Sequence, residues 1–161
     1  MYRKGKLFLK YINFWVFASS GKGHGIHSPF VFDFVIQVLC GCKKESVLHE
    51  FDFPALGDKY QLKFQQLISR IHSYYADYDI RLISLPIVND QKFSNSGKIF
   101  DDISEKNIQI VTNIRATENA EKTWAEIKKN EKVTCSIDLF FVGILFFKKD
   151  FKEKLDFMIR F

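Results

Sequence analysis

Apolar positions recur at helical spacing in the first half of this chain and form short apolar runs in the second. Leu7, Tyr11 and Trp15 repeat every four residues with Phe8 and Ile12 beside them, while Lys10 and Asn13 fall elsewhere on the wheel. This spacing predicts a docking helix whose packed stripe is Leu7, Tyr11 and Trp15. Three glycines at alternate positions, Gly21, Gly23 and Gly25, then read as a flexible joint. Ser28 as an N-cap and Pro29 at the first helical position start a second helix, expected from Pro29 to about Leu39. It is apolar nearly all round, with Asp33 and Gln37 as one narrow polar stripe, so it should be wedged between other elements. Gly41 stops it.

Residues 43–57 read as irregular, with Phe51, Phe53 and Pro54 anchoring a loop. Asp58 opens a third helix, with Gln61 as a capping-box partner and Leu62, Leu67, Ile68 and Ile71 as its buried side through Tyr75. Ile80 to Val88 is strand-like, and Pro86 marks a strand end or an edge. Phe93 to Ile103 reads as a modest helix and Asn107 to Asn113 as a short buried strand. Thr117 caps a helix containing Trp124 and Ile127, with Lys128 and Lys129 set against the negative end of its dipole. Val133 to Leu139 and Gly143 to Lys149 are expected as an antiparallel pair, and Leu155 to Phe161 as a last strand or extended tail. The order predicts an α/β fold with a reduced Rossmann-like mixed sheet of about four or five strands and N-terminal helices. Between Asp79 and Asn107 only one strand and one helix fit, because a strand–helix–strand unit takes about 30 residues. Residues 1–57 read as a helical arm and connector, and 58–161 as the α/β domain.

Composition narrows the class. The 161 residues suit one domain with an arm, and 18 Phe with 47% apolar residues supply a core, which excludes general disorder. No apolar run reaches the ~18 residues of a membrane span, so no transmembrane segment is expected. The basic start followed by Leu7 to Ala18 imitates a secretory signal, but Lys10 and Asn13 interrupt it and the helix accounts for the same residues. Three Cys make no disulfide framework. Cys40 and Cys42 are separated by one residue, no second pair exists, and the four His complete no zinc pattern. No metal is expected, and reduced thiols point to the cytoplasm. The net charge of +5 is uneven: residues 1–50 hold 7 Lys/Arg against 3 Asp/Glu. That excess could meet nucleic acid or an anionic surface. Nucleic acid is not expected: Arg3, Lys4, Lys6 and Lys10 read as solvating a chain terminus, and no regular basic interleaving accompanies the Phe-rich tail for base stacking.

Candidate chemistry is sparse. Gly21-Lys22-Gly23-His24-Gly25 has the alternating glycines of a phosphate loop, but that role needs a strand just before it, and the preceding residues have helical spacing. His24 and His27 flank the joint and are the candidate catalytic groups, as base or ligand; the alternative is local packing at a helix start. Asp101 and Asp102 could be paired carboxylates, but neighbours on a helix point about 100° apart, which favours a solvated face. The serines lack a nucleophile elbow.

Two stretches carry a resemblance. The first is His24-Gly25-Ile26-His27-Ser28-Pro29-Phe30-Val31. The second runs from Asn107 to Arg115, through Thr123 to Lys128 and Val133 to Phe140, to Gly143–Lys149. Both are similar to small class I S-adenosylmethionine-dependent methyltransferases of bacteria, and Tyr60 to Tyr75 resembles the helix before their first sheet strand. The resemblance is collinear and covers roughly two thirds of the chain. It implies a methyltransferase-like shell. In the family, the strand after that helix ends in an acidic residue and a Gly-rich turn that holds the methyl donor. Here Ile80 to Val88 has no glycine, and no acid comes before Asp90. No cofactor-binding residue carries over, and no cofactor is expected, S-adenosylmethionine being the one if the chain is active. The expectation is a catalytically inactive pseudoenzyme. Two alternatives stand beside it: an active methyltransferase with an atypical or intermolecular site, and a protein-binding scaffold using Lys4, Lys6 and Lys10 of the basic helix. A shortened sheet uncovers apolar faces and edges, which favours a homo-oligomer or a protein partner.

Overall fold

The computed structural model describes residues 4–21, 23, 25–41, 58–86 and 98–161. Among these residues four α-helices, α1 (Lys4–Phe17), α2 (Pro29–Phe34), α3 (Asp58–Tyr74) and α4 (Glu118–Lys129), accompany five strands. These are β1 (Asp79–Ser84), β2 (Asn107–Thr112), β3 (Cys135–Asp138), β4 (Val142–Phe146) and β5 (Leu155–Met158). Their spatial order is β1-β2-β4-β3-β5. Strand β1 is parallel to β2 and β5 to β3, whereas β4 runs antiparallel to both β2 and β3. The expected hairpin therefore forms, and its second strand is inserted between β2 and β3. The result is an α/β fold with a mixed five-stranded sheet, compatible with a Rossmann-like arrangement.

Local chemistry sets the helix starts as read. Ser28 has extended backbone and accepts a hydrogen bond from Val31 N at 3.4 Å, with Pro29 next. The predicted helix through Leu39 is present, but its second half, Val35–Leu39, is a wider π-helical turn. The Arg70 guanidinium of α3 donates to the carbonyls of Val38 and Leu39 at 3.3 and 3.1 Å, which satisfies that helix end. Thr117 Oγ1 accepts from Ala120 N at 3.0 Å and starts α4.

The period of two along the strands splits the core into two layers. Ile108, Ile110, Ile137, Ile144 and Phe146 face α2 and α3, where Val31, Phe34, Val38, Leu67 and Ile71 meet them. Val111 and Leu145 face α4 and pack with Trp124 and Ile127. Gly143 lies in the middle of β4 because a Cβ there would enter the Trp124 ring. Asn107 and Asn113 bind the two ends of the β1–β2 pair. Asn107 Nδ2 donates to Asp79 Oδ2 at 2.7 Å, and Asn113 Nδ2 to Ser84 Oγ at 3.0 Å.

Several expectations are corrected. The packed stripe of α1 is Leu7, Tyr11, Phe14 and Ala18, and Trp15 is 54% exposed. The helix is apolar on nearly every side, so periodicity alone did not fix which stripe docks. Leu62 is 58% exposed, because Phe64, Leu67, Ile68, Ile71 and Tyr75 form the inward stripe of α3 and leave it on the far side. Strand β1 stops at Ser84, short of the expected run to Val88, of which residues 87 and 88 lie outside the described residues; Pro86 does follow a strand end, on the outermost strand of the described sheet. Within the predicted helix 93–103, the described part holds a single 3₁₀ turn, Lys98–Phe100, and residues 93–97 lie outside the described residues. Asp101 and Asp102 sit on an exposed turn, not on a helix, with Asp102 at φ 51°. The expected loop over 43–57 also lies outside the described residues.

Burial pushes the Cys135 thiol up from 9.0 to about 12, with the Asp156 charge adding to it, and it raises the Tyr75 hydroxyl in the same layer. Both groups keep their protons longer when folded than when unfolded. Stability is therefore complete below pH 9 and falls as pH climbs from 9 towards 12. Thermal melts from pH 8 to 11 should show this decline, and Cys135→Ala should flatten part of it; a decline of equal slope in the variant would contradict the burial of this thiol.

Candidate functional site

Open α/β sheets hold ligands outside the carboxyl ends of their parallel strands. Here that end is formed by Ser84, Thr112 and Asp138 together with the turns that follow them. At the end of β1 the ladder continues one residue further, with Leu85 N donating to Thr112 O at 3.1 Å. The Leu85 side chain is buried with Ile99 and Val111. Leu85 thus extends the β1–β2 ladder by one residue and turns its side chain into the core.

The turn from β2 into α4 uses Asn113 in the left-handed region at φ 62°, which Asn tolerates. Ala116 N donates to Asn113 O at 3.0 Å, and the turn delivers Thr117 to its capping position. The positive end of a helix dipole is a ready anion site. In α4 the chain supplies its own anions there, Glu118 and Glu121 in the first turn. These carboxylates reach the lysines of α1: Lys6 pairs with Glu118, and Lys10 with Glu121 at 2.5 Å. The Lys6 ammonium holds the Glu118 carboxyl below its usual range.

Asp138, at the end of β3, is 1% exposed. Its Oδ1 accepts from Arg115 Nη1 at 2.7 Å and from Phe140 N at 2.9 Å. Its Oδ2 accepts from Arg115 Nη2 at 2.8 Å and from Trp124 Nε1 at 3.1 Å. A carboxylate offers about four acceptor positions, and all are taken. Arg115 Nη1 also donates to Phe140 O at 2.8 Å. This clamp holds a tight turn: Phe141 N donates to Leu139 O at 3.1 Å around Phe140, whose φ of 75° is costly for an aromatic residue.

Helix α1 covers the clamp. The rings of Tyr11 and Phe14 meet that of Phe140 edge-on at 5.0 and 5.3 Å, and the Arg115 guanidinium lies 5.2 Å from Phe14 and 4.9 Å from Phe140. Burial and neighbouring Tyr60 raise the Tyr11 hydroxyl. A groove of about 190 Å³ remains between Tyr11, Phe14, Trp15, Leu139, Phe140, Arg160 and Phe161. Small-molecule sites usually measure about 300–1,000 Å³.

The sequence candidates do not meet here. His27 is exposed at the approach to α2, and His24 lies outside the described residues. The glycine joint follows a helix, so the phosphate-loop reading lacks its strand. Among the described residues no group of three or more His, Cys, Asp or Glu could hold a metal ion. Sequence reading passed over Arg115, Trp124, Asp138 and Phe140 as a unit. The signal was an aspartate inside the apolar run Cys135 to Phe141, since a buried charge requires a partner.

Asp138→Asn keeps the size of the side chain and leaves Arg115 without its counter-charge. Urea unfolding at pH 7 should show a loss of about 3–5 kcal/mol, as for other broken buried pairs. A loss under about 1 kcal/mol would mean that the clamp does not anchor this end of the sheet. No family model matches the chain, and no curated protein or solved structure matches it either.

Proposed function

We propose that this chain is a methyltransferase-like protein without catalytic activity, one that keeps the shell and lacks the donor site. The reading rests on the His24–Val31 and Asn107–Lys149 resemblances. The observation that carries it is the saturated Asp138 at the carboxyl end of the sheet, beside the unbroken ladder at Leu85. An adenosyl group needs free acceptors for its hydroxyls and a backbone it can approach closely. The described residues do not fit it. The acceptors of Asp138 are used, the α4 N-terminus faces its own glutamates, and Leu85 fills the approach.

The competing reading of an active methyltransferase, with an atypical or intermolecular site, needs these same groups released. A scaffold acting through Lys6 and Lys10 is also weakened, because both ammonium groups are held by α4. A protein partner or second copy held by these lysines would have to displace Glu118 and Glu121. The free thiols of Cys40 and Cys135 support a cytoplasmic setting.

Calorimetric titration and thermal melts with S-adenosylmethionine and its demethylated product test this reading. A dissociation constant of about 0.1 mM at about 1 mM ligand would stabilise the fold by about 1.4 kcal/mol. No heat and no melting shift at millimolar ligand is the expected result, and saturable heat with a matching shift would overturn it.

A further inference from the structure

We propose that the outward side of α1 docks on an anionic membrane surface, lying in the interface and not crossing it. The helix is fixed from two directions. Leu7, Tyr11, Phe14 and Ala18 pack on the Phe140 turn, and Lys6 and Lys10 face α4. At 100° per residue this leaves Trp15, Phe8, Ile12, Val16 and Leu9 as a continuous arc of about 120° turned to solvent. These five side chains are 43% to 67% exposed. Together they present on the order of 600 Å² of apolar surface, the upper end of what a monomer usually shows.

Charge selects the occupant. The chain has no Asp or Glu before Asp33, whereas Arg3, Lys4, Lys6, Lys10 and Lys22 all precede it. Two of these cations are neutralised by α4. Beside the arc, the Arg160 guanidinium lies 4.8 Å from the Trp15 ring, and the Lys63 ammonium lies 4.3 Å from the ring of Phe161, which shares a groove with Trp15. A second copy would set one acid-free, cationic segment against another, while anionic headgroups complement it. Trp and Phe flanked by cations suit the boundary between headgroups and acyl chains. Length fixes the orientation. The 14 residues of α1 span about 21 Å, short of a hydrocarbon core of about 30 Å. Among the described residues no helix is long and apolar enough to cross a membrane.

Vesicle flotation of the full chain tests the proposal, using phosphatidylcholine alone and with about 25 mol% phosphatidylglycerol. Trp124 is 2% exposed, so Trp15 provides the emission that shifts to the blue on insertion. The expected result is flotation with the anionic vesicles, weakened by salt, together with that blue shift. The double variant Phe8→Gln/Ile12→Gln should keep its melting temperature and lose roughly tenfold or more in partitioning. Absence of flotation overturns the proposal, and so does flotation undiminished in the double variant. A lipid-free dimer that the same variant dissolves, with no vesicle binding by the unaltered chain, assigns the surface to a second copy and also overturns it.

Discussion

The buried pair of Asp138 and Arg115 is the contact on which the carboxyl end of this sheet depends. Withdrawing two such charges from water costs several kcal/mol per ion, so the pair persists only if its remaining hydrogen-bonding positions are filled. Trp124 Nε1, Phe140 N and Phe140 O fill them. One carboxylate thereby ties the start of α4, the body of α4 and the β3–β4 hairpin to one point. It also fixes the left-handed Phe140, whose ring is the surface on which Tyr11 and Phe14 of α1 settle. The N-terminal helix is seated at the sheet's end through this chain of contacts, together with the ion pairs of Lys6 and Lys10 to α4.

Much of the scaffold was legible in the residues. Ser28 and Thr117 mark helix starts because their hydroxyl oxygens accept from free backbone N–H groups, Pro29 brings a preset φ, and each acts as read. Apolar runs mark β2, β3 and β4, and the short spacing between Leu139 and Gly143 marks the β3–β4 hairpin. Topology was not legible. The insertion of β4 between β2 and β3, and the parallel pairing of β5 with β3, are contacts between distant segments that local pattern does not encode. The stripe of α1 was misread because a helix apolar on most sides has no single periodic answer. Phe14 instead of Trp15 faces inward because Phe140 stands where it does.

The site was harder to read than the fold because its chemistry is used up inside the molecule. The recognisable motifs sit on His24, His27 and the glycines, which are residue types that act at surfaces. The groups that organise the end of the sheet are a lone Asp in an apolar strand and a lone Arg before a helix cap, twenty-three residues apart. Only the requirement that a buried charge find its opposite connects them. Among the described residues the same saturation holds at the end of β1, where the ladder runs on to Leu85 and the Leu85 side chain joins the core. On α1, one side packs on the hairpin, Lys6 and Lys10 pair with α4, and the remaining apolar side chains are displayed.

Amide hydrogen exchange across residues 113–116 and 138–141, compared with Ile144 and Leu145 of the central strand, tests most directly whether this end is a closed core. If it is, the Phe140 amide, held by Asp138, exchanges within about tenfold of the central strand, at the rate set by global unfolding. Exchange roughly a thousandfold faster at these two turns, with β2 and β4 still protected, would reveal a mouth that opens on its own and would contradict the account.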